Sequence, residues 1–282
     1  QFANMSLNDL VRGTTPPDMH PDKPTCTLPE TSTQPQTGYV DSLTVEQEAK
    51  LMELWALIIE LLSVEESREG WAMGEVSGGR SKSSSSTRSQ SMNDHPLTEE
   101  FWRQLSTDDP DVLLLRFLRA RKWNVLEAFF MFFEALKWRR AICVHDMLQR
   151  GDVKAVKREL LDGGKGYFYG YDKDGRVIVI LPARKHDRYA QTLEENMAHT
   201  VMLMETGRRI MRPGVETVTL IFDLADAPLS SFDPGSMQFM IECFQSYYPE
   251  SLGRCYVINA PWIFWGFWRM IKMWLDPVVA GK

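Results

Sequence analysis

The sequence lacks the short motifs that mark many catalytic and nucleotide-binding sites. It contains no G-x-S-x-G elbow, no G-x-x-x-x-G-K-[ST] phosphate loop and no G-x-G-x-x-G at a strand end. Gly163–Gly166 precedes a predicted strand rather than a helix, so we interpret it as a loop. The five histidines are scattered. His199 could face either the polar side of its helix or the cavity, and we favour its interpretation as a surface residue. Asp223 and Asp226 follow a strand without a third metal ligand, so we expect no metal site. Because the catalytic and nucleotide-binding motifs are absent as well, we expect neither a cofactor nor enzymatic activity.

Paired cysteine motifs, a net positive charge and long apolar runs are also lacking. The four cysteines form no C-x-x-C pair, which is typical of reduced thiols in the cytoplasm rather than of a disulfide framework or zinc site. The net charge of −6 gives no sign of nucleic-acid binding. No signal peptide is recognisable, and no apolar run reaches the roughly 20 residues that span a bilayer. We therefore expect a cytoplasmic protein, and we expect it to be a monomer.

The first hundred residues divide into three segments. Residues 1–44 are rich in Pro, Thr and Gln without periodicity, which predicts a disordered tail. Residues 45–64 carry apolar side chains at helical spacing, with an acidic polar side that favours docking on the main domain over membrane binding. Residues 65–97, rich in Ser and Gly, predict a flexible linker.

Two kinds of periodicity follow. Asp109-Pro110 and the Asn124/Glu127 pair predict helix starts in a small helical subdomain at 98–147. From residue 160 the sequence predicts a hairpin with its turn at Asp172–Gly175, followed by strands that alternate with helices. This alternation predicts an α/β fold with a mixed, largely parallel sheet and right-handed crossovers.

The most apolar helix is predicted at Trp262–Leu275. Its apolar stripes cover nearly every side, and only a narrow stripe carries Arg269 and Lys272. A helix of this kind must be buried or meet lipid, yet it is too short to span a bilayer. Periodicity alone leaves two alternatives open, a core helix or a lid that covers an apolar cavity and touches membrane when it opens.

Several sequence blocks together resemble the CRAL-TRIO lipid-binding family, in particular the fungal phosphatidylinositol/phosphatidylcholine transfer proteins. The blocks are Leu113–Trp123, Lys137–Arg139, Asp172–Arg176, Phe222–Leu224, Tyr247–Pro261 and Leu275–Lys282. The resemblance implies an N-terminal helical subdomain at 98–147 and a lipid-binding domain at 160–282. Sheet and helices would form a lipid cavity, closed by a mobile gate helix at Trp262–Leu275. No strand closes the predicted order, so we expect this domain to be truncated at its C-terminus.

The resemblance also implies a site for the inositol-phosphate headgroup. Carried over by motif, its residues are Arg121, Glu250 and Lys282, with Lys122 as a neighbour in the same basic cluster. A phosphodiester suits guanidinium and ammonium donors, and inositol hydroxyls can donate to a carboxylate. The family's threonine after Asp-Pro-Val is Val279 here. The alternative is that the basic residues form a solvated helix face and that Glu250 caps a turn.

The polar contacts that the family uses for phosphatidylcholine are absent. The serine and threonine of the strand are Val218 and Leu220, and the pocket tyrosines correspond to Phe168, Val179 and Met204. We therefore expect a lost phosphatidylcholine site, so that any second ligand would be more apolar, such as a sterol. The predicted cavity and gate positions are Phe168, Val179, Met204, Val218, Leu220, Phe264, Phe267, Trp268 and Ile271.

The resemblance implies a lipid-transfer function without bond chemistry. The chain would hold phosphatidylinositol as its ligand and exchange it during transient, peripheral contact with a membrane surface. One alternative is a non-transferring lipid sensor or adaptor that recruits partners through its N-terminal region. Another is a carrier of a different hydrophobic small molecule.

Overall fold

The computed structural model describes residues 37–74, 97–149, 158–262 and 264–275. The predicted tail up to residue 36, residues 75–96 of the predicted linker, and Lys282 lie outside these ranges.

The N-terminal half is a helical subdomain with its own apolar core. It comprises α1 (Val45–Gly74), α2 (Leu97–Leu105), α3 (Pro110–Ala120), α4 (Val125–Ala141) and the short α5 (Val144–Gln149). Leu54, Phe117 and Phe132 are almost fully buried in this core. The indole N–H of Trp55 donates to Asp111 Oδ1 at 2.7 Å, which ties α1 to the first turn of α3. Helix α1 is thus an integral layer of the subdomain.

Local signals set the helix starts. Asp109 accepts hydrogen bonds from the backbone N–H groups of Asp111 and Val112, and Asn124 accepts one from Glu127 N. These contacts satisfy donors that the first helical turn leaves unpaired. The starts of α3 and α4 therefore follow from the residues directly before them.

Two segments differ from their predicted states. Helix α1 ends at Gly74 rather than at 64, since residues 65–73 consist largely of good helix formers. Residues 37–44, predicted as part of the disordered tail, include a 3-10 turn at Val40–Ser42. The guanidinium of Arg119 lies 4.3 Å from the ring centroid of Tyr39 and donates to the Gly38 carbonyl at 2.8 Å. These contacts dock the segment on α3, which its composition does not reveal.

The C-terminal half is a four-stranded mixed sheet with flanking helices, which confirms the predicted fold class. After α6 (Arg158–Asp162) come β1 (Tyr167–Tyr171), β2 (Val177–Pro182), α7 (Leu193–Ile210), β3 (Val218–Asp223), α8 (Pro234–Glu242), a π-helical turn at Cys243–Tyr247, β4 (Leu252–Ile258) and α9 (Phe264–Lys272). The strand order is β1-β2-β3-β4, with β1 antiparallel to β2 and the other pairs parallel. The predicted hairpin and parallel crossovers are present.

Buried ionic contacts join the two halves. Arg139 of α4 donates to Glu205 of α7 at 2.6 Å and to Glu100 of α2 at 3.0 Å. Glu205 also accepts from Tyr248 Oη and from Arg208, both at 2.7 Å. All of these side chains are buried. Burial alone would raise the pKa of Glu205, but Arg139 and Arg208 hold it well below its usual value. We call Glu100, Arg139, Glu205, Arg208 and Tyr248 the ionic cluster.

Candidate functional site: an apolar cavity behind the last helix

Two adjoining cavities lie in the C-terminal half, and the larger of these two has a volume of about 170 Å³ and lies behind α9. Its wall is mostly apolar, with contributions from the sheet, from α7 and α8, and from α9. The apolar lining includes Leu181, Leu203, Phe222, Met240, Phe264, Phe267 and Ile271. Such a wall suits a hydrocarbon chain, because apolar groups leave water at a gain of about 25 cal/mol per Å² of buried surface.

A second, smaller cavity of about 40 Å³ adjoins the first. It lies between α7 and one face of the sheet. Leu181, Thr200, Leu203 and Met240 line both cavities, so the two share a wall. The pleat alternates side chains between the two faces, and Val179, Val218 and Leu220 all point to the face with this cavity. The sequence and the fold together create one continuous apolar region.

Seven of the nine predicted cavity and gate positions line these two spaces. Val179, Met204, Val218 and Leu220 line the smaller cavity. Phe264, Phe267 and Ile271 line the larger one. Phe168 packs against the apolar cluster of the same sheet face, and Trp268 stacks on Phe264 with centroids 6.2 Å apart. Lys272 lies 5.5 Å from the Trp268 ring centroid.

Helix α9 covers the larger cavity with few specific contacts. Phe267 stacks on Phe232 with ring centroids 3.7 Å apart, and Ile271 is buried. Gln245 Nε2 donates to the Trp274 carbonyl at 3.1 Å. Around this helix, Trp262 and Met273 are 84% and 77% exposed. Its inner side is therefore apolar and docked, while large apolar side chains at both ends face solvent.

The predicted headgroup residues lie on different elements. Arg121 ends α3, and it and the adjacent Lys122 are exposed. Glu250 is half-buried after Pro249, and its φ of 55° is in the left-handed region. Among the contacts between described residues, none joins Arg121 or Lys122 to Glu250. Lys282 lies outside the described residues, so the geometry of the four together is not defined.

One end of the larger cavity is polar. The ammonium of Lys165 donates to Gln191 Oε1 at 2.6 Å and to Asn196 Oδ1 at 2.7 Å. Lys165, Asn196 and His199 all line the cavity and are 8%, 5% and 6% exposed. The interpretation of His199 as a surface residue is therefore wrong. We call Lys165, Asn196 and His199 the polar cluster.

The polar cluster was missed although the sequence contains a signal for it. Asn196, His199, Thr200 and Leu203 follow the i, i+3, i+4, i+7 spacing of one helix face. Apolar spacing identifies α7 as a helix, but it does not show which of its polar residues lie on the inner side. Gly166 adds a tertiary constraint that no local pattern contains. A Cβ there would lie 2.5 Å from Leu203 Cδ1, so only glycine lets the Lys165 loop approach α7 this closely.

Burial governs the protonation of the polar cluster. It lowers the pKa of Lys165 to about 8, an effect that the more distant Asp233, Asp187 and Glu195 only partly oppose. Burial, with smaller contributions from Lys165 and His186, lowers the pKa of His199 to about 4. At neutral pH His199 is therefore a neutral imidazole beside a positively charged amine.

Two sequence-family models match the chain. One describes the CRAL/TRIO domain and matches residues 161–282. The other describes the CRAL/TRIO N-terminal domain and matches residues 50–133. The chain belongs to the CRAL/TRIO family. The N-terminal match begins within α1 and ends within α4, so it includes most of the helical subdomain.

Similar proteins occur in fungi. A CRAL-TRIO domain-containing protein of Schizosaccharomyces pombe is 43% identical over 189 residues, covering 64% of this chain and 42% of that protein. A phosphatidylinositol transfer protein, CSR1, of Eremothecium gossypii is 39% identical over 193 residues, covering 66% of this chain and 44% of that protein. A SEC14 cytosolic factor of Yarrowia lipolytica is 33% identical, covering 61% and 38%. The matched part thus spans less than half of each of these relatives.

A solved structure, that of Sfh5, shares the fold. The TM-score is 0.52 at 20% identity, and the match covers 65% of this chain and 64% of the other. Within the described ranges no helix is both long and apolar enough to cross a membrane. The same ranges contain no group of His, Cys, Asp and Glu side chains suited to a metal ion.

Proposed function

We propose that this CRAL/TRIO protein holds phosphatidylinositol in the cavity behind α9 and exchanges it at membrane surfaces. The observation that carries the proposal is the apolar, two-part cavity whose outer wall is a single, weakly attached helix. Similarity to proteins named as phosphatidylinositol transfer proteins supports the choice of ligand class.

The size of the cavity implies that α9 moves. A volume of about 170 Å³ is below the roughly 300–1,000 Å³ of pockets that bury drug-sized ligands. A phospholipid with two acyl chains therefore requires the wall to shift. Helix α9 is the wall that we propose to shift, since among the described residues its specific anchors are the Phe232–Phe267 stack, the buried Ile271 and the hydrogen bond from Gln245 to Trp274.

The outer surface of α9 suits contact with lipid. The exposed Trp262 and Met273 can enter the interfacial region of a bilayer, where an indole finds both apolar and polar surroundings. Arg269 and Lys272 are exposed in the same segment and would be attracted to anionic lipids. A membrane could thus stabilise the displaced helix and open the cavity.

The headgroup would bind outside the apolar region, at Arg121, Lys122, Glu250 and Lys282. The exposed side chains of Arg121 and Lys122 can donate hydrogen bonds to a phosphodiester, and they would not have to leave a buried position to do so. The proposed binding is therefore divided, with acyl chains behind α9 and the inositol phosphate at the basic end of α3.

A vesicle assay tests the lipid selectivity. Donor vesicles would contain labelled phosphatidylinositol or labelled phosphatidylcholine, and transfer to unlabelled acceptors would be followed over time. We expect transfer of phosphatidylinositol and little transfer of phosphatidylcholine, because Val218, Leu220 and Met204 offer the choline headgroup no hydroxyl. Equal rates for both lipids would contradict the selectivity.

Two substitutions test the headgroup residues. Arg121→Ala and Glu250→Ala should each lower phosphatidylinositol transfer roughly tenfold, in line with the loss of a charge-assisted hydrogen bond. Arg209→Ala, at an exposed position on α7, is the matched control and should leave transfer unchanged. Unchanged transfer in both test variants would remove these residues from the site.

A further inference from the structure

The polar cluster contains unused hydrogen-bonding groups. Asn196 Nδ2 and His199 Nε2 are buried and have no partner among the described residues. An unmade hydrogen bond on a buried polar group typically costs about 1–3 kcal/mol. Such groups are rare in folded proteins, and each requires an explanation. Both residues line the larger cavity, so a ligand bound there could accept the missing hydrogen bonds.

The cluster also contains a buried cation without a paired anion. Lys165 Nζ donates to two amide oxygens, Gln191 Oε1 and Asn196 Oδ1, which leaves one N–H free. Of the carboxylates in the described ranges, none lies within 4.0 Å of Nζ. A buried charge is normally paired, because removing it from water is costly. The lowered pKa of Lys165 is consistent with this missing counter-charge.

The nearby acidic group is already engaged. Asp233 Oδ2 accepts from Ser236 Oγ at 2.7 Å and lies 3.3 Å from His186 Nε2, while Oδ1 accepts from Ser236 N at the start of α8. Asp233 therefore serves α8 and His186 rather than Lys165. Three donors therefore line the cavity: the third N–H of the ammonium, the amide N–H of Asn196, and the imidazole N–H that a neutral His199 can carry on Nε2.

We infer that the polar cluster binds the carboxylate of a single-chain fatty acid whose hydrocarbon tail occupies the apolar part of the cavity. A carboxylate has two oxygens with about four acceptor sites and supplies the counter-charge that Lys165 lacks. The walls beyond the cluster, with Leu203, Phe222 and Phe267, continue directly into the space for the tail. A single chain also requires less movement of α9 than a two-chain lipid does.

This site does not depend on the proposed phosphatidylinositol site. The cluster residues are distinct from Arg121, Lys122, Glu250 and Lys282, and none of them is exposed. A fatty acid could thus occupy the closed protein, and a phospholipid could displace it when α9 opens. The two binding modes would share the apolar cavity but not the polar contacts.

Calorimetric titration of the chain with three probes tests the assignment. Oleate, oleyl alcohol and methyl oleate have the same tail and differ only in the head. We expect oleate to bind at least tenfold more tightly than either neutral probe. Similar affinities for the three would show that only the tail is recognised and would overturn the proposal.

Variants separate the head from the tail. Lys165→Met should weaken oleate binding at least tenfold and change oleyl alcohol binding less than twofold, whereas the exposed Lys173→Met serves as control and should alter neither. His199→Leu should weaken oleate several-fold, and it removes a nitrogen that has no partner, so it provides a second route if Lys165→Met fails to fold. Loss of oleyl alcohol binding to the same extent in these variants would overturn the carboxylate site.

A final arm distinguishes the fatty acid from a phospholipid headgroup. In the vesicle assay, Lys165→Met should lower phosphatidylinositol transfer less than Arg121→Ala does, because Lys165 lines the cavity but is not part of the proposed headgroup site. A tenfold loss of this transfer would assign the cluster to the phospholipid head and contradict the fatty-acid site. Failure of the unmodified chain to transfer phosphatidylinositol would count against the proposed function alone, since oleate binding is measured without vesicles.

Discussion

The interface between the two halves and the cavity behind α9 use opposite kinds of chemistry. At the interface, the buried Arg139 and Tyr248 both donate to the buried Glu205, at 2.6 and 2.7 Å. Behind α9 the walls are apolar and enclose space, and the covering helix is held mainly by the Phe232–Phe267 stack. Directional, charge-assisted bonds favour a single arrangement at the interface, whereas non-directional apolar contacts are compatible with the proposed opening of the cavity at α9.

Removing a charge from the interface should have the largest effect. Arg139→Met would leave the buried carboxylates of Glu205 and Glu100 without this cation. Removing one partner of a buried ion pair typically lowers the free energy of unfolding by roughly 3–5 kcal/mol. Denaturant unfolding, followed by circular dichroism, measures this loss. Lys137→Met is the matched control on the same helix, because its ion pair with Glu134 is exposed and should contribute less than about 1 kcal/mol. Equal effects of both substitutions would contradict the contrast between the regions.

Acid should destabilise the protein through the polar end of the cavity. Burial lowers the pKa of folded His199 to about 4, whereas its unfolded pKa is about 6.5. Between these values the unfolded chain binds more protons, so the free energy of unfolding falls as the pH decreases from about 6.5 to about 4. This group contributes on the order of 2–3 kcal/mol to that decrease.

The variant His199→Leu isolates this contribution. His186 also has a pKa lowered by burial and titrates in the same direction, so part of the pH dependence should remain. Urea unfolding at pH 7 and pH 4 should show a smaller decrease in stability for His199→Leu than for the unmodified chain. An identical decrease in the two proteins would mean that His199 is accessible to protons in the folded state.

Loosening α9 should have a smaller, local effect. Phe267→Ala removes the stack on Phe232, and such aromatic pairs contribute about 0.5–1.5 kcal/mol beyond their burial. Hydrogen exchange should become faster at the amides of α9 and stay slow in α4, which contains Arg139. Exchange in the unmodified chain that is as slow in α9 as in α4 would contradict a weakly attached cover.

The smallest effect on stability is expected at the predicted headgroup site. Arg121 is exposed at the end of α3, so Arg121→Ala should change the free energy of unfolding by less than about 0.5 kcal/mol. Thermal melting of this variant next to Arg139→Met gives the comparison. A melting temperature lowered as much as that of Arg139→Met would show that Arg121 serves the fold rather than ligand binding.

Local chemistry made much of the fold predictable. Asp109, Asn124 and Thr192 cap helices through contacts within three residues, and the turn at Asp172–Gly175 pairs β1 with β2. These signals depend only on neighbouring residues. The ionic cluster could not be predicted in this way, because Arg139 is 39 positions from Glu100 and 66 from Glu205.

The candidate site shows the same division. Apolar positions such as Val218 and Leu220 could be placed on one sheet face, since side chains alternate along a strand. The burial of His199 depends on the Lys165 loop, which Gly166 lets approach α7, and this packing lies outside any helical pattern. The docked segment at Tyr39 similarly depends on a distant arginine, Arg119.

Native mass spectrometry after incubation with phosphatidylinositol vesicles tests the cavity most directly. The unmodified chain should retain one phosphatidylinositol. Leu203→Trp should retain none, because Leu203 lines both parts of the cavity and the larger indole ring would occupy the space beside their shared wall. The exposed Leu126→Trp is the control and should bind like the unmodified chain. Equal retention by Leu203→Trp and the unmodified chain would place the lipid elsewhere and contradict the account.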